Sequence, residues 1–183
     1  MKKIENYETV QANSGEYAKP TAGGYFCKIT NVTDVPLDEK TGKGDYLKIE
    51  WDFADGEFKD YYKEANEKFG GEWWARFIRS YKESALGMFK HFTNCIEESN
   101  NGYKWEWDEK SLIGKLIGLV IGEEEYEAND GSIKTRLYVK DVKTIFQIGD
   151  KDFKVPELKK VERKDNITGF SPISPADNSD LPF

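Results

Sequence analysis

Lys134, Arg136, Tyr138 and Lys140 stand two residues apart. On a β-strand that spacing puts all four on one face. Three cations around one ring suit a phosphate track with a stacking surface, the means by which unpaired nucleotides are held. Alternation of this kind is more often a solvated strand face, so the pattern needs support from elsewhere. Tyr46 and Lys48 repeat the spacing in an earlier segment, where Glu50 and Asp52 oppose them. A third group runs from Trp73 to Lys82. Adjacent tryptophans cannot both be buried on a strand or a helix, so one of Trp73 and Trp74 is expected to be partly exposed. Arg76, Arg79 and Lys82 are three apart, a basic ridge if the segment is helical; Arg76–Tyr81 can equally be extended. Tyr81 adds a ring to these bases, while Phe77 and Ile78 read as core. Trp105 and Trp107 flank Glu106 and read as structural.

The C-terminal residues carry a different chemistry. Asp177, Asp180, Leu181, Pro182 and Phe183 place two acids before a short apolar end. Phe183 can fill a pocket, its carboxylate can meet an Arg or Lys, and the acids can steer it to a basic rim.

Composition bounds the rest. The chain has 183 residues, 34 acids against 27 bases and a net charge of -7, with 11 Phe, 10 Tyr and 5 Trp. Residues 165–183 hold three acids and no base, which leaves 31 acids to 27 bases in residues 1–164. The body is therefore closer to neutral than the whole. One histidine, His91, argues against histidine metal sites and triads. Cys27 and Cys95 are far apart and read as small buried apolar groups in a reducing compartment. Glu123, Glu124 and Glu125 could hold a metal, but such a run is usually a solvated face. No phosphate-cradling glycine loop or nucleophile elbow is present. No catalytic residue, metal or cofactor is expected. The segment after Met1-Lys2-Lys3 lacks the apolar core of a secretory signal. No apolar run approaches the roughly 18 residues of a membrane span. A cytoplasmic protein without membrane contact is expected.

These side chains need elements to position them. Gly24–Val32 reads as a strand. Tyr46–Phe53 alternates strictly, with Leu47, Ile49, Trp51 and Phe53 on one face. Phe58–Tyr62 can return as a short hairpin partner. Ser80 and Glu83 form a candidate capping box before a helix near residues 84–98, whose stripe is Leu86, Phe89, Phe92, Thr93 and Ile96. A short turn or a single helical turn is expected within 105–114. Lys115–Tyr126 and Ile133–Phe146 form a hairpin around Asn129-Asp130-Gly131-Ser132. Gly118 and Gly122 read as bends in a curved strand. The expected organisation is an N-terminal arm or edge strand over 1–22, a mainly β domain with an inserted helix over 23–160, and a disordered acidic tail over 161–183. Five strands and one inserted helix suggest a small OB-like curved barrel, with a different α+β arrangement as the competitor.

Two resemblances add to this. The ending Asp177-Asn178-Ser179-Asp180-Leu181-Pro182-Phe183 resembles the tip of bacterial single-stranded DNA-binding proteins, which ends in an acidic run, Ile or Leu, Pro and Phe. Here Asn178 and Ser179 thin the acidic run. In that family the tip docks on replication, recombination and repair enzymes. The stretches Gly23-Gly24-Tyr25, Tyr46–Asp52, Arg79–Lys82, Gly114–Gly118, Glu123–Tyr126 and Phe153–Pro156 are similar to a family of phage and prophage single-stranded DNA-binding proteins. The resemblances imply a non-enzymatic protein that binds single-stranded DNA without strong sequence preference. They also imply recruitment of replication, recombination and repair proteins through Leu181-Pro182-Phe183. A protein-binding adaptor without DNA affinity is the first alternative and a metal-dependent nuclease the second. The sequence leaves homo-oligomerisation open.

Overall fold

The computed structural model describes residues 18–161. Of the expected N-terminal arm, residues 18–22 are irregular and residues 1–17 lie outside the described part. The expected tail lies outside it beyond Val161.

Five strands form one antiparallel sheet: β1 (Gly23–Val35), β2 (Tyr46–Phe53), β3 (Arg76–Ser80), β4 (Leu116–Glu127) and β5 (Ile133–Lys143). Their order across the sheet is β3-β2-β1-β4-β5. Helix α1 (Tyr61–Phe69) joins β2 to β3, α2 (Leu86–Ser99) joins β3 to β4, and α3 (Ile145–Gly149) follows β5. The mainly β fold with an inserted helix is as expected. The sheet does not close, so the expected barrel is not formed: β3 and β5 remain its two edges. Helix α2 packs against β3, β4 and β5, and its Phe89, Phe92, Cys95 and Ile96 join the core.

Strand β2 shows why the sheet forms here. Leu47, Ile49, Trp51 and Phe53 are all at most 2% exposed, while Tyr46, Lys48 and Glu50 point the other way and are half-buried. Burying each such apolar side chain contributes roughly 1.5–3 kcal/mol. Strand β1 crosses both halves of the sheet, pairing residues 23–28 with β4 and residues 27–35 with β2. A bulge between Ile29 and Asn31 shifts its phase, so Cys27 and Ile29 before it and Val32 after it all reach the core.

Phe58–Tyr62 is not a strand. It is a turn leading into α1, and a buried carboxylate explains why. Asp52 is fully buried on the far side of β2. Its oxygens accept from the backbone N–H groups of Phe53 (2.9 Å), Tyr62 (3.1 Å) and Lys63 (2.9 Å). Two of these are otherwise unpaired donors at the N-terminus of α1. Asp60, the residue before the helix, has φ 59° and gives no side-chain cap, so Asp52 takes that role from the neighbouring strand. Burial pushes the Asp52 carboxyl above the usual aspartate range, and its three N–H donors oppose that shift.

Ser80 does not cap the next helix. Its hydroxyl accepts from Lys82 N at 3.2 Å, a short turn closes over Glu83–Ala85, and α2 starts at Leu86. Strand β5 stops at Lys143 rather than Phe146, because Thr144 and Gln147 form a reciprocal capping box that starts α3. Gln147 N donates to Thr144 Oγ1 (3.1 Å), and Thr144 N donates to Gln147 Oε1 (3.0 Å). The expected single turn appears at Glu109–Leu112. The hairpin turn closes through Ala128 N to Ser132 O and Gly131 N to Ala128 O, each 2.8 Å. Among the described residues, no helix is long and apolar enough to cross a membrane.

Candidate functional site

The side of the sheet away from the core divides into two regions. The first lies on β2 and β3. Cross-strand pairing sets Ser80 beside Tyr46, Ile78 beside Lys48 and Arg76 beside Glu50. Trp51 N donates to Ala75 O at 3.0 Å, so the ladder runs one residue beyond β3. Ala75 is buried and Trp74 is 78% exposed. Trp74, Arg76 and Ile78 therefore form one outward column, with Ile78 across from Lys48, Arg76 across from Glu50 and Trp74 next in line beside Asp52. Trp73 takes the other direction. It packs against the core, and its indole N–H donates to Trp51 O at 3.0 Å. The expected division of the tryptophan pair is thus resolved: Trp73 inward, Trp74 outward.

The basic ridge does not form, because residues 76–80 are a strand. Arg76 points outward with Ile78. Arg79 pairs across from buried Leu47 and lies on the inner side. Its guanidinium sits 4.7 Å from the Phe77 ring and 5.7 Å from the Phe92 ring. Its Nη1 donates to Ile78 O at 3.0 Å, and its Nε has no partner among the described residues. Burial lowers the Arg79 pKa, and the charge of Asp141 partly restores it. Arg79 is a packed cation rather than a surface contact. Tyr81 is also committed to the fold: its hydroxyl donates to Asp34 Oδ1 at 2.9 Å and its ring meets Phe89. Burial, then the Asp34 hydrogen bond and charge, push its pKa upward. Lys82 is exposed beyond the strand end. Ile78, read as core from the sequence, is 53% exposed.

Electrostatically the β2–β3 face is nearly neutral. Lys48 lies 3.1 Å from Glu50, and Arg76 lies 3.4 Å from Glu72. Glu50 also accepts from Asn31 Nδ2 at 3.1 Å. On the same side Lys28 is bonded to Asp60, which holds the Asp60 carboxyl below its usual range.

The second region lies on β4 and β5. Tyr138, Arg136 and Lys134 pair with Gly122, Glu124 and Tyr126 and share a face as expected. Lys140 leaves it, because the register shifts between Val120 and Ile121 and makes Lys140 the extra residue. The face is neutralised and partly covered. Arg136 Nε lies 2.8 Å from Glu124 Oε1, and Lys134 Nζ lies 3.8 Å from Asp130. The chain after β5 runs back across the sheet. Lys159 pairs beside β4, donating to Glu123 O (3.0 Å) and accepting from Glu125 N (2.8 Å). Its ammonium group stands 3.7 Å from the centre of the Tyr138 ring.

The strap explains two of the strand glycines and the Tyr138 ring on β5 the third. A Cβ on Gly24 would lie 2.3 Å from the Phe153 ring, and one on Gly118 would lie 2.6 Å from both Ile148 Cγ1 and Thr144 O. A Cβ on Gly122 would lie 2.7 Å from the Tyr138 ring. Gly118 and Gly122, read as bends, are sites of close approach.

The structure thus sets Tyr46, Lys48, Arg76 and Trp74 on one face of β2–β3, with Tyr46 and Trp74 at its two ends. It sets Lys134, Arg136 and Tyr138 on the opposite half of the sheet, and Trp73, Arg79 and Tyr81 are used by the fold. Asp177, Asp180, Leu181, Pro182 and Phe183 lie outside the described residues. Sequence reasoning missed Phe69, which is 78% exposed at the end of α1. Its signal was the Phe69-Gly70-Gly71 sequence, a ring set against a turn with φ 66° and 99° at the two glycines. His91 is a satisfied helix residue, with Nε2 2.9 Å from Val142 O. Cys27 and Cys95 are free and buried, and burial raises both thiols, Cys95 to about 11. No protein-family model matches the chain, and no curated protein matches it.

Proposed function

We propose that this protein binds single-stranded DNA on the outward face of β2 and β3. The observation that carries the reading is the outward column of Trp74, Arg76 and Ile78, which Lys48 joins across from Ile78 and Tyr46 extends beyond it. Trp74 is 78% exposed on a segment fixed by backbone pairing. A ring held this way stacks on a base with little ordering cost, and any base offers a π-face. Arg76 and Lys48 meet phosphates. The strand order, with α2 between β3 and β4, supports an OB-like reading of the open sheet, and such folds bind oligonucleotides on the β2–β3 face. The DNA-binding roles expected for Lys134, Arg136, Tyr138 and Lys140 are not part of this site.

Among the described residues of β2 and β3, two cations, Lys48 and Arg76, serve the face, and both are shared with carboxylates. Stacking therefore dominates, and salt dependence is shallow. Two phosphate contacts on a single strand give a slope of log K against log salt of about −1.4. Titrating oligo-dT while following tryptophan fluorescence tests the reading. Quenching with a shallow salt slope supports it; absence of binding at low salt overturns it.

Partner recruitment through Leu181-Pro182-Phe183 is the second half of the proposal. Deleting these three residues abolishes capture of a replication or recombination partner and leaves oligo-dT affinity undiminished. Unchanged capture after the deletion contradicts it.

A further inference from the structure

Beside Trp74, between α1 and β3, lies a small pocket of about 100 Å³. Tyr62, Ala65, Asn66, Phe69, Trp73 and Trp74 line it. Two of its walls are fixed by the core. Tyr62 stacks on Phe53 (5.8 Å between centroids, 9° between planes), and Trp73 is tied to the β2 backbone through its indole N–H. The other two rings, Phe69 and Trp74, are each 78% exposed. The rim is also shaped by the backbone: Asn66 Nδ2 donates to Gly71 O at 3.0 Å, and Gly70 N donates to Asn66 O at 2.8 Å. A Cβ on either Gly70 or Gly71 would meet nothing within 4 Å, so that side of the rim is open. The pocket also touches Glu72, whose charge is engaged by Arg76.

We infer that this pocket holds one unstacked nucleobase at the end of the β2–β3 track. The inference rests on the proposed DNA-binding face and adds a defined subsite to it. Two rigid aromatic walls and two exposed rings provide π-surface on several sides, which suits a base better than an aliphatic side chain. Continuity places the strand: Trp74 belongs to both the pocket and the outward column, and Arg76 stands at the next outward position for the adjoining phosphate. A duplex keeps its bases stacked and cannot fill the pocket, so the subsite selects single strands.

The test uses the full chain and oligo-dT carrying a single 5-iodouracil for photocrosslinking. Crosslinks mapped to Phe69, Tyr62, Trp73 or Trp74 are expected. Phe69→Ala removes an exposed ring, and Ala65→Leu fills the pocket; each lowers oligo-dT affinity about tenfold, with the denaturation midpoint of Phe69→Ala unchanged. If the wild type binds and Trp74→Ala weakens it, but both pocket variants bind normally and crosslinks fall elsewhere, the pocket inference is overturned and the face survives. If the wild type binds no oligo-dT at low salt, both fall. A pocket built for a protein side chain would show itself as DNA affinity unchanged in both pocket variants.

Discussion

The two halves of the outward surface carry nearly the same sequence pattern and meet opposite fates. On β5, two cations, Lys134 and Arg136, precede the ring of Tyr138 on one face. On β2 and β3, Tyr46 and Lys48 adjoin Trp74 and Arg76. The β4–β5 half is overlaid at Gly118 by Ile148 and at Tyr138 by Lys159, from the chain that follows it, while Lys134 and Arg136 stay exposed in ion pairs. The β2–β3 half keeps its tryptophan in the open. Alternation tells which face a residue shares. It says nothing of what later chain will cover that face.

Breaking the cover gives the largest expected effect. Gly118→Val places its Cβ against the Thr144 carbonyl as well as Ile148. A backbone atom cannot rotate away, so the variant is destabilised by about 1–3 kcal/mol or more. Urea denaturation reads this, with faster proteolysis within residues 144–161 as the local sign.

The next effect falls on the open half. Trp74→Ala lowers oligo-dT affinity by about 1–3 kcal/mol, the usual worth of one stacked base, while the unfolding midpoint stays unchanged because the side chain is exposed. Fluorescence anisotropy with a labelled oligonucleotide measures it.

A third effect is seen in pH. Asp52, which anchors the start of α1 at one end of the open half, has its pKa raised by burial. It binds its proton more tightly folded than unfolded. Its stabilising contribution is therefore full below about pH 3.9, the unfolded value, and is lost as pH rises through the raised value. Asp38, Asp60, Glu97 and Asp130 are lowered by their hydrogen bonds. They stabilise above the unfolded carboxylate range and lose that contribution as pH falls through their lowered values. Asp52→Asn removes the opposing titration, so stability declines more steeply on acidification in the variant than in the wild type. Equal slopes in a pH series of denaturation midpoints contradict this.

The smallest effect belongs to the covered half. Arg136→Ala breaks an ion pair whose cation is 62% exposed, and costs at most about 1 kcal/mol. It leaves DNA affinity unchanged.

Much of the fold was legible in local pattern. The strict alternation of Tyr46–Phe53 gave β2 and its buried face, and Asn129–Ser132 gave the β4–β5 hairpin. The helix stripe around Phe89, Phe92 and Ile96 gave α2. Helix α1 was not legible, because Phe58, Tyr61 and Tyr62 suit a strand as well as a helix. The deciding contact is a carboxylate from β2, ten residues before Tyr62. The strap was hidden for the same reason: Phe153 and Lys159 reach strands far back in the chain. Thr144 and Gln147 did carry a local signal for α3, at capping-box spacing, that the strand-like run before them obscured. Of the candidate site, Trp74, Arg76, Tyr46 and Lys48 were named from the sequence. Their meeting on one open face depends on the β2–β3 register, which pairs Glu50 with Arg76.

The most direct test sets the two halves side by side. Oligo-dT affinity at low salt is measured for the wild type, Trp74→Ala and Tyr138→Ala. The open-face account predicts a loss of about tenfold for Trp74→Ala and none for Tyr138→Ala. A loss confined to Tyr138→Ala, or wild-type affinity in Trp74→Ala, would contradict it.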